Sequence, residues 1–366
     1  YGGMVERELR AHGLSGEEEL IDPETGESLG KVMAGHQYIL KQRHQIDKKL
    51  SARAAGAGYA YDANLTPKSG GGSGGQTFGS LGLFAMLAHG AVHNIRAGLT
   101  YKSDQTQQEV WSAIQAGTPL PAPQPSFAYE KFLGYLAGVG VNVEKKGNSL
   151  ILSPLTDEQV LERSEGKLTD ATKVLRGKDL KPEKGGLFDP EITGGPGGKG
   201  WSHIELAQSI PNPLFEKAIV SLLGLKQKEY ESVLQGKSRL NAAGEVVAEG
   251  GKTGVAAIVL ALSGLNEDQA LAQAEAKLGT ARRSDLDRAN KKVKYLRALK
   301  KAGLEAEEAY TLRNLPVLPP IMRPISALEG GDLSVDGLNL HYREVGLIND
   351  ALSQAKGVVP DDMLAG

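Results

Sequence analysis

The stretch from Asn314 to Ile325, NLPVLPPIMRPI, restricts the fold more than any other. Pro316, Pro319, Pro320 and Pro324 each fix φ near about −65° and remove an amide donor, and each biases the preceding residue toward extended backbone. The stretch is therefore an extended, hydrogen-bond-poor run and not a helix. It lies between two segments of helical period. Before it, Arg282–Leu304 (RRSDLDRANKKVKYLRALKKAGL) is predicted to be one long helix dense in Arg and Lys, with Leu286, Val293, Leu296 and Leu299 as a thin apolar stripe. After it, Leu338–Ala355 reads as a final helix.

Glycine supplies the other punctuation. The 47 glycines are nearly twice the usual share of about 7%, and they concentrate in Gly56–Gly82 and Gly185–Gly200. Such loops need backbone freedom or close approach by another chain. In the second loop, GLFDPEITGGPGGKGWSHIELA (Gly186–Ala207) predicts a compact acidic-aromatic turn, a flexible glycine bridge, and then an amphipathic helix. Elsewhere, Leu20–Val32 reads as two short strands around Asp22-Pro23 and Thr25-Gly26, and Gly35–Arg53 as a strand passing into a short helix. Ser80–Leu99 is predicted to be one helix with Leu81, Phe84, Leu87 and Ile95 on one face. Helices follow over Gln108–Gly117 and Ser126–Val141, then a strand pair around Gly147. From Thr156, a capping residue, a polar helix is predicted through Leu168. Further helices are predicted over Pro213–Leu225, Gly254–Leu265 and Asn266–Gly279. Mixed helices and short strands in this order indicate an α+β fold, and 366 residues correspond to two or three domains.

Chemistry of its own is hard to find in this chain. Forty-two basic residues against 44 acidic ones argue against a protein wrapped everywhere in nucleic acid, while leaving room for a local basic face. Without cysteine there is neither a disulfide framework nor a thiolate zinc site. No apolar run approaches the roughly 18 residues needed to span a bilayer, so a soluble protein is expected. Val246–Gly254 (VVAEGGKTG) imitates a phosphate-binding loop, but Val246 stands where that pattern needs glycine; a surface turn is the expectation. His89 and His93 lie four apart on a predicted helix without a third ligand, so packed or surface histidines are expected there. No Ser-His-Asp set or aspartate cluster marks an active site. The basic helix over 282–301 leaves two readings open, a solvated face or a track for phosphates, with Asp285, Asp287 and Glu305–Glu308 diluting its charge.

The segments together resemble a known family. Glu24–Gly56, Gly74–Gln105 (GGQTFGSLGLFAMLAHGAVHNIRAGLTYKSDQ) and Leu133–Glu144 resemble the C-terminal end of the beta subunit of multisubunit DNA-directed RNA polymerases, with order and spacing kept over 19–145. Lys181–Pro196, His203–Ile219, Val293–Leu304, Asn314–Ile325 and Gly337–Asp350 resemble the N-terminal end of the beta-prime subunit. The resemblance divides the chain into 1–150, beta-like with a switch loop and clamp anchor, and 151–366, beta-prime-like with a clamp base. It implies a fusion of two subunit ends that pack as the base of the mobile clamp over DNA, with no complete catalytic barrel. Between the GLF…GP turn and HIELA the bacterial family carries a four-cysteine zinc module. The resemblance implies that it is deleted here and the gap closed by Gly194–Gly200.

By carry-over, Arg53, Gly56, Lys68, Gly74, Gly75 and Gln76 are expected along nucleic acid, where glycines admit backbone amides to phosphates. Arg323 and Arg343 match basic family positions beside a lid-like loop at 326–337, carried by Glu329, Gly330, Gly331, Asp332, Leu333 and Ser334, which separates transcript from template. Thr77, Ser80 and Gly82 replace an arginine and two acids of the family pattern. No catalytic residue and no metal ligand falls in this chain; magnesium is expected on a partner chain, and zinc is not expected. Expected partners are the subunits carrying the catalytic beta and beta-prime cores, template DNA and the transcript, with no membrane. The compact, zinc-free arrangement suggests a bacteriophage enzyme working in the host bacterial cytoplasm, with packaging in a virion as a further location. The chain starts at Tyr1, which raises a cut from a longer precursor. A mimic that binds and regulates a host polymerase is the alternative expectation, and a structural virion protein a third.

Overall fold

The computed structural model describes residues 2–50, 52, 59–69, 74–75, 78–104, 106–147, 149–175, 181–279, 283–327 and 332–359. The chain divides into two units, Tyr1–Arg53 and Ala54–Gly366. The division falls after residue 53 and not at the 150/151 boundary suggested by the two stretches of resemblance. An antiparallel hairpin pairing Val141–Lys146 with Ser149–Pro154 spans that boundary, and hydrogen bonds from Arg163 to Asn142 and from Asn212 to the Val139 carbonyl also cross it.

The first unit comprises α1 (Gly2–Ala11), β1 (Glu17–Ile21), β2 (Ser28–Met33) and α2 (Ile46–Lys49). β1 and β2 pair antiparallel, as expected from the turn signal. The Asp22 carboxylate makes that turn by accepting from Glu24 N at 2.8 Å and from the Thr25 hydroxyl at 2.9 Å. The strand expected between Gly35 and the short helix does not form. No described residue of this unit is buried, and Tyr38, Ile39 and Leu40 are 86–94% exposed. Apolar side chains with neither a partner strand nor a core to cover them have no reason to adopt one.

The second unit begins with α3 (Ser80–Ala88), α4 (Val92–Leu99), α5 (Gln107–Ala116) and α6 (Phe127–Gly138). The single helix expected over Ser80–Leu99 is broken, because Gly90 adopts φ +75° and stops α3 in a left-handed turn. The hairpin already described is β3 (Val141–Lys146) and β4 (Ser149–Pro154). It leads to α7 (Asp157–Arg163), opened by a reciprocal capping box in which Thr156 and Gln159 satisfy each other's amides. The polar helix ends there, five residues early, because β5 (Ser164–Lys167) joins a sheet.

That sheet organises the unit. After α8 (Pro190–Thr193) comes β6 (Trp201–Pro211), its central strand. The segment predicted as an amphipathic helix is thus a strand. Ile204 and Leu206 point inward on either side of Glu205, an alternation of period two, and β6 has a neighbour on each edge. Next come α9 (Glu216–Leu223), α10 (Gln227–Leu234), β7 (Arg239–Leu240), β8 (Val246–Val247), α11 (Gly254–Ser263), α12 (Glu267–Leu278), α13 (Arg283–Ala302) and α14 (Ala306–Tyr310). The proline run supplies β9 (Thr311–Val317), antiparallel to β6, while β5 lies parallel on its other side. β10 (Ile325–Ala327), β11 (Leu333–Val335) and α15 (Gly337–Ala355) complete the chain. The fold is mixed α+β with small sheets and, among the described residues, no closed barrel.

Two main cores result. One is helical and centres on Ile219, Leu222, Tyr230, Val233, Ile258 and Leu296. The other lies against the sheet and gathers Leu187, Phe188, Ile204, Val317, Leu318 and Tyr342. α6 reaches the second core through a glycine face. A methyl group on Gly134 would stand 2.7 Å from Met322 Sδ, and one on Gly138 2.6 Å from Leu318 Cδ1. Glycine four residues apart therefore admits the proline run against the helix backbone.

Candidate nucleic-acid interface

The described part of the glycine-rich loop, residues 59–69 with 74 and 75, is a built structure. Asp62 folds it by accepting from Asn64 N at 2.8 Å, Thr66 N at 3.0 Å and the Thr66 hydroxyl at 2.6 Å. Desolvation opposes its ionisation, but these bonds and the charge of Lys68 outweigh it and hold the carboxyl below its usual range. Leu65, held at φ +58°, packs against the sheet-side core. Gln107 Nε2 donates to Tyr61 Oη at 3.1 Å and Lys131 Nζ to Asn64 Oδ1 at 3.2 Å, which fastens the loop to α5 and α6. Lys68 N donates to Ala60 O and Gly75 N to Lys68 O, each at 2.7 Å. Lys68 is exposed, Gly74 buried and Gly75 half-buried against Pro67. The arrangement offers one lysine charge on an anchored frame. Arg53, Gly56 and Gln76 lie outside the described residues.

The structure corrects the expectation for Arg323. No part of this side chain reaches solvent. Its Nε donates to Leu318 O at 2.7 Å, Nη1 to Asn339 Oδ1 at 2.8 Å and Nη2 to Leu187 O at 2.5 Å. Its guanidinium carbon lies 4.7 Å from the Phe188 ring centre and 5.8 Å from that of Tyr342. Burial lowers its pKa to about 10, against the raising influence of Tyr342 and Asp336. This arginine ties three segments together and is unavailable to phosphates. Arg343, on the solvent side of α15, is exposed.

The lid-like segment rests on that cluster. Ile325–Ala327 pairs antiparallel with Leu333–Val335, Asp336 N donates to Pro324 O at 3.2 Å, and the Asp336 carboxylate caps α15 by accepting from Leu338 N at 3.0 Å. Asp332 and Ser334 are exposed and Leu333 packs on the core. Glu329, Gly330 and Gly331 lie outside the described residues.

The glycine bridge is not the flexible tether expected. Gly194, Gly195 and Gly197 all hold φ between +74° and +80°. Gly198 N donates to Gly195 O at 2.9 Å, Gly200 N to Thr193 O at 3.2 Å, and Ile321 N to Gly198 O at 3.0 Å. The bridge is a wound turn docked on the proline run. Among the described residues no group of three or more His, Asp or Glu side chains could hold a metal ion.

Sequence reasoning missed two polar locks. Asp157 accepts from Arg313 N at 3.1 Å and Asn314 N at 2.8 Å, pinning α7 to β9. Where the β6–β9 register shifts between Glu205 and Ile210, Asn349 of α15 fills in, accepting from Ala207 N at 2.7 Å and donating to Glu205 O at 3.0 Å. The register irregularity itself has no signature in the sequence.

No protein-family model matches the chain. It is similar to the DNA-directed RNA polymerase subunit beta of Malacoplasma penetrans, with 38% identity over 136 residues, 36% of this chain and 10% of that relative. The corresponding subunit of Mycoplasmoides gallisepticum is 33% identical over 174 residues, 46% of this chain and 12% of the relative. That of Tropheryma whipplei is 33% identical over 140 residues, 37% of this chain and 12% of the relative. The chain thus spans about a tenth of the length of the curated relatives it matches. This partial similarity supports a relationship to multisubunit RNA polymerase.

Proposed function

We propose that this chain is a component of a multisubunit DNA-directed RNA polymerase and serves as the base of its clamp. The observation that carries the proposal is the 33–38% identity with polymerase beta subunits over 130–174 residues. The finer reading joins a beta-like 1–150 to a beta-prime-like 151–366. It is supported by the interlock of α6 with Leu318 and Met322, which makes one core from residues of both stretches. Partners are the subunits that carry the catalytic cores, with magnesium held there. Exposed apolar side chains at Tyr38–Leu40 and at Leu81, Phe84 and Leu87 suit contact with such chains.

On this reading the chain works by position. Lys68 lies along the hybrid on the frame that the Gly75 amide helps to close, the β10–β11 hairpin carries the lid that parts transcript from template, and Arg323 keeps the base of that hairpin rigid. DNA contact through a small set of Lys and Arg gives a modest salt dependence. The compact arrangement favours a bacteriophage enzyme in host cytoplasm or virion.

Native purification with mass spectrometry of the co-eluting chains, together with an RNA synthesis assay, tests the proposal. Companions that supply the remaining polymerase cores, and promoter-dependent RNA synthesis by the complex, are expected. Purification without any polymerase subunit overturns it.

A further inference from the structure

α13 divides into two electrostatic halves. In its C-terminal half, Arg297 pairs with Glu275 at 2.8 Å and Lys300 with Asp268 at 2.8 Å, so acids of α12 neutralise its cations. Its N-terminal half behaves differently. Asp285, Arg288, Ala289 and Lys292, spaced for one helix face, line a cleft of about 560 Å³ together with Lys277 of α12 and Ser221 of α9. Among the described residues, no carboxylate lies within ion-pair distance of Lys277, Arg288 or Lys292. Three cations therefore face one carboxylate, Asp285, in the same cleft.

We propose that this cleft binds phosphate groups. Its walls supply the chemistry: a guanidinium that can fork onto two oxygens, two ammonium groups, and the Ser221 hydroxyl as a neutral donor. Its floor is made of Ala270, Ala274 and Ala289, whose short side chains leave the space open. The volume falls within the range of small-molecule sites, roughly 300–1,000 Å³, and exceeds what a single phosphate fills. Lys292 is half-buried, and desolvation, together with the positive charge of Lys277, pushes its pKa down. A bound anion relieves that unfavourable placement of charge. A second, smaller cleft of about 340 Å³ shares Ser221 and Arg288, but its Lys226 and Lys291 are paired with Glu229 and Asp287, so the unpaired positive charge is confined to the larger cleft. The phosphate comes either from a free phosphoanion or from a nucleic-acid backbone. The site does not depend on the polymerase reading.

The test is isothermal titration of the full chain with inorganic tripolyphosphate at low salt. One equivalent is expected to bind, with at least a tenfold loss of affinity in Arg288→Gln/Lys292→Gln and no change in Arg297→Gln on the neutralised half. Thermal melting checks that the variants are folded. Should the double variant fail to fold, Lys277→Gln, exposed at the end of α12, replaces it with a several-fold loss expected. Displacement of tripolyphosphate by an oligothymidylate assigns the site to nucleic-acid phosphate, and binding that survives the oligonucleotide assigns it to a free phosphoanion. Absence of tripolyphosphate binding, or equal affinity in wild type and variants, overturns the proposal.

Discussion

Arg323 and Asn339 bind each other in both directions: Arg323 Nη1 donates to Asn339 Oδ1 at 2.8 Å, and Asn339 Nδ2 donates to the Arg323 carbonyl at 2.9 Å. The pair closes a loop between the proline run and the first turn of α15. Both residues are wholly buried. With Leu187 O and Leu318 O also saturated by the guanidinium, the cluster joins the acidic-aromatic turn, the proline run and the base of the β10–β11 hairpin.

Replacing Arg323 by methionine strands two buried carbonyls and the Asn339 amide. The expected cost is about 3 kcal/mol, from buried neutral acceptors left without a donor and offset in part by removal of the buried charge, read as a fall in Tm of roughly 5–10 °C. Arg323→Lys keeps the charge but not the planar fork, and recovers only part of the loss. A melting temperature unchanged in both variants refutes the structural role.

The glycine turn separates two kinds of glycine. Gly195 has open space around the missing Cβ and only its φ of +74° to satisfy, so Gly195→Ala is expected to cost about 1–2 kcal/mol. A Cβ on Gly198 would collide with the Thr193 carbonyl, so Gly198→Ala must unwind the turn and release Ile321. Chemical denaturation of the two variants is expected to rank Gly198→Ala well below Gly195→Ala; the reverse order rules out the docked turn.

Three buried tyrosines set an alkaline limit. Burial is the main cause that raises the hydroxyls of Tyr230, Tyr310 and Tyr342, each to about 12. In the unfolded chain they ionise near pH ~10. Because the folded value is the higher, their contribution is intact below pH ~10 and is lost as pH rises toward 12. Of the 11 tyrosines, the absorbance step that belongs to these three is expected to coincide with a steep loss of far-ultraviolet circular dichroism in that window. Tyrosine ionisation near pH ~10 that is complete while the dichroism stays native contradicts the burial.

Lid function is testable without damaging the fold. Deleting Glu329–Asp336 would also remove β11 and the cap of α15. Replacing only 328–332 with an Asn-Gly turn keeps both strands and that cap. On the proposed function, the assembled polymerase is expected to form normally but to carry longer RNA–DNA hybrids or release transcript poorly. Hybrids of normal length remove the lid assignment.

Asn349 is expected to matter far from any active site. Its amide serves Ala207 N and Glu205 O where β6 and β9 lose register, so Asn349→Ala leaves both without a partner at a cost of about 1–3 kcal/mol. Hydrogen exchange at Ala207 should accelerate in this variant while the Ile204 amide region stays protected. Unchanged exchange at Ala207 would falsify the patch.

What the sequence determined by itself is what near neighbours control. The Thr156 cap, the helices α11 and α12 with the Asn266 cap of α12, the β3–β4 hairpin around Gly147 and the absence of an α-helix from the proline run were legible, because caps, turns and period-3.6 burial act within a few residues. The run is not extended throughout, since Pro320–Met322 closes a 3₁₀ turn and Asn314–Val317 joins the sheet. Tertiary structure decided the rest. HIELA became a central strand because β5 and β9 flank it, and the glycine bridge became a docked turn because Ile321 receives it. Arg323 is a buried tie instead of a phosphate contact because its acceptor at Leu187 lies 136 residues away. A basic side chain reads the same in sequence whether it faces phosphate or three carbonyls; only the packed environment, through desolvation and the acceptors it brings together, chooses between them.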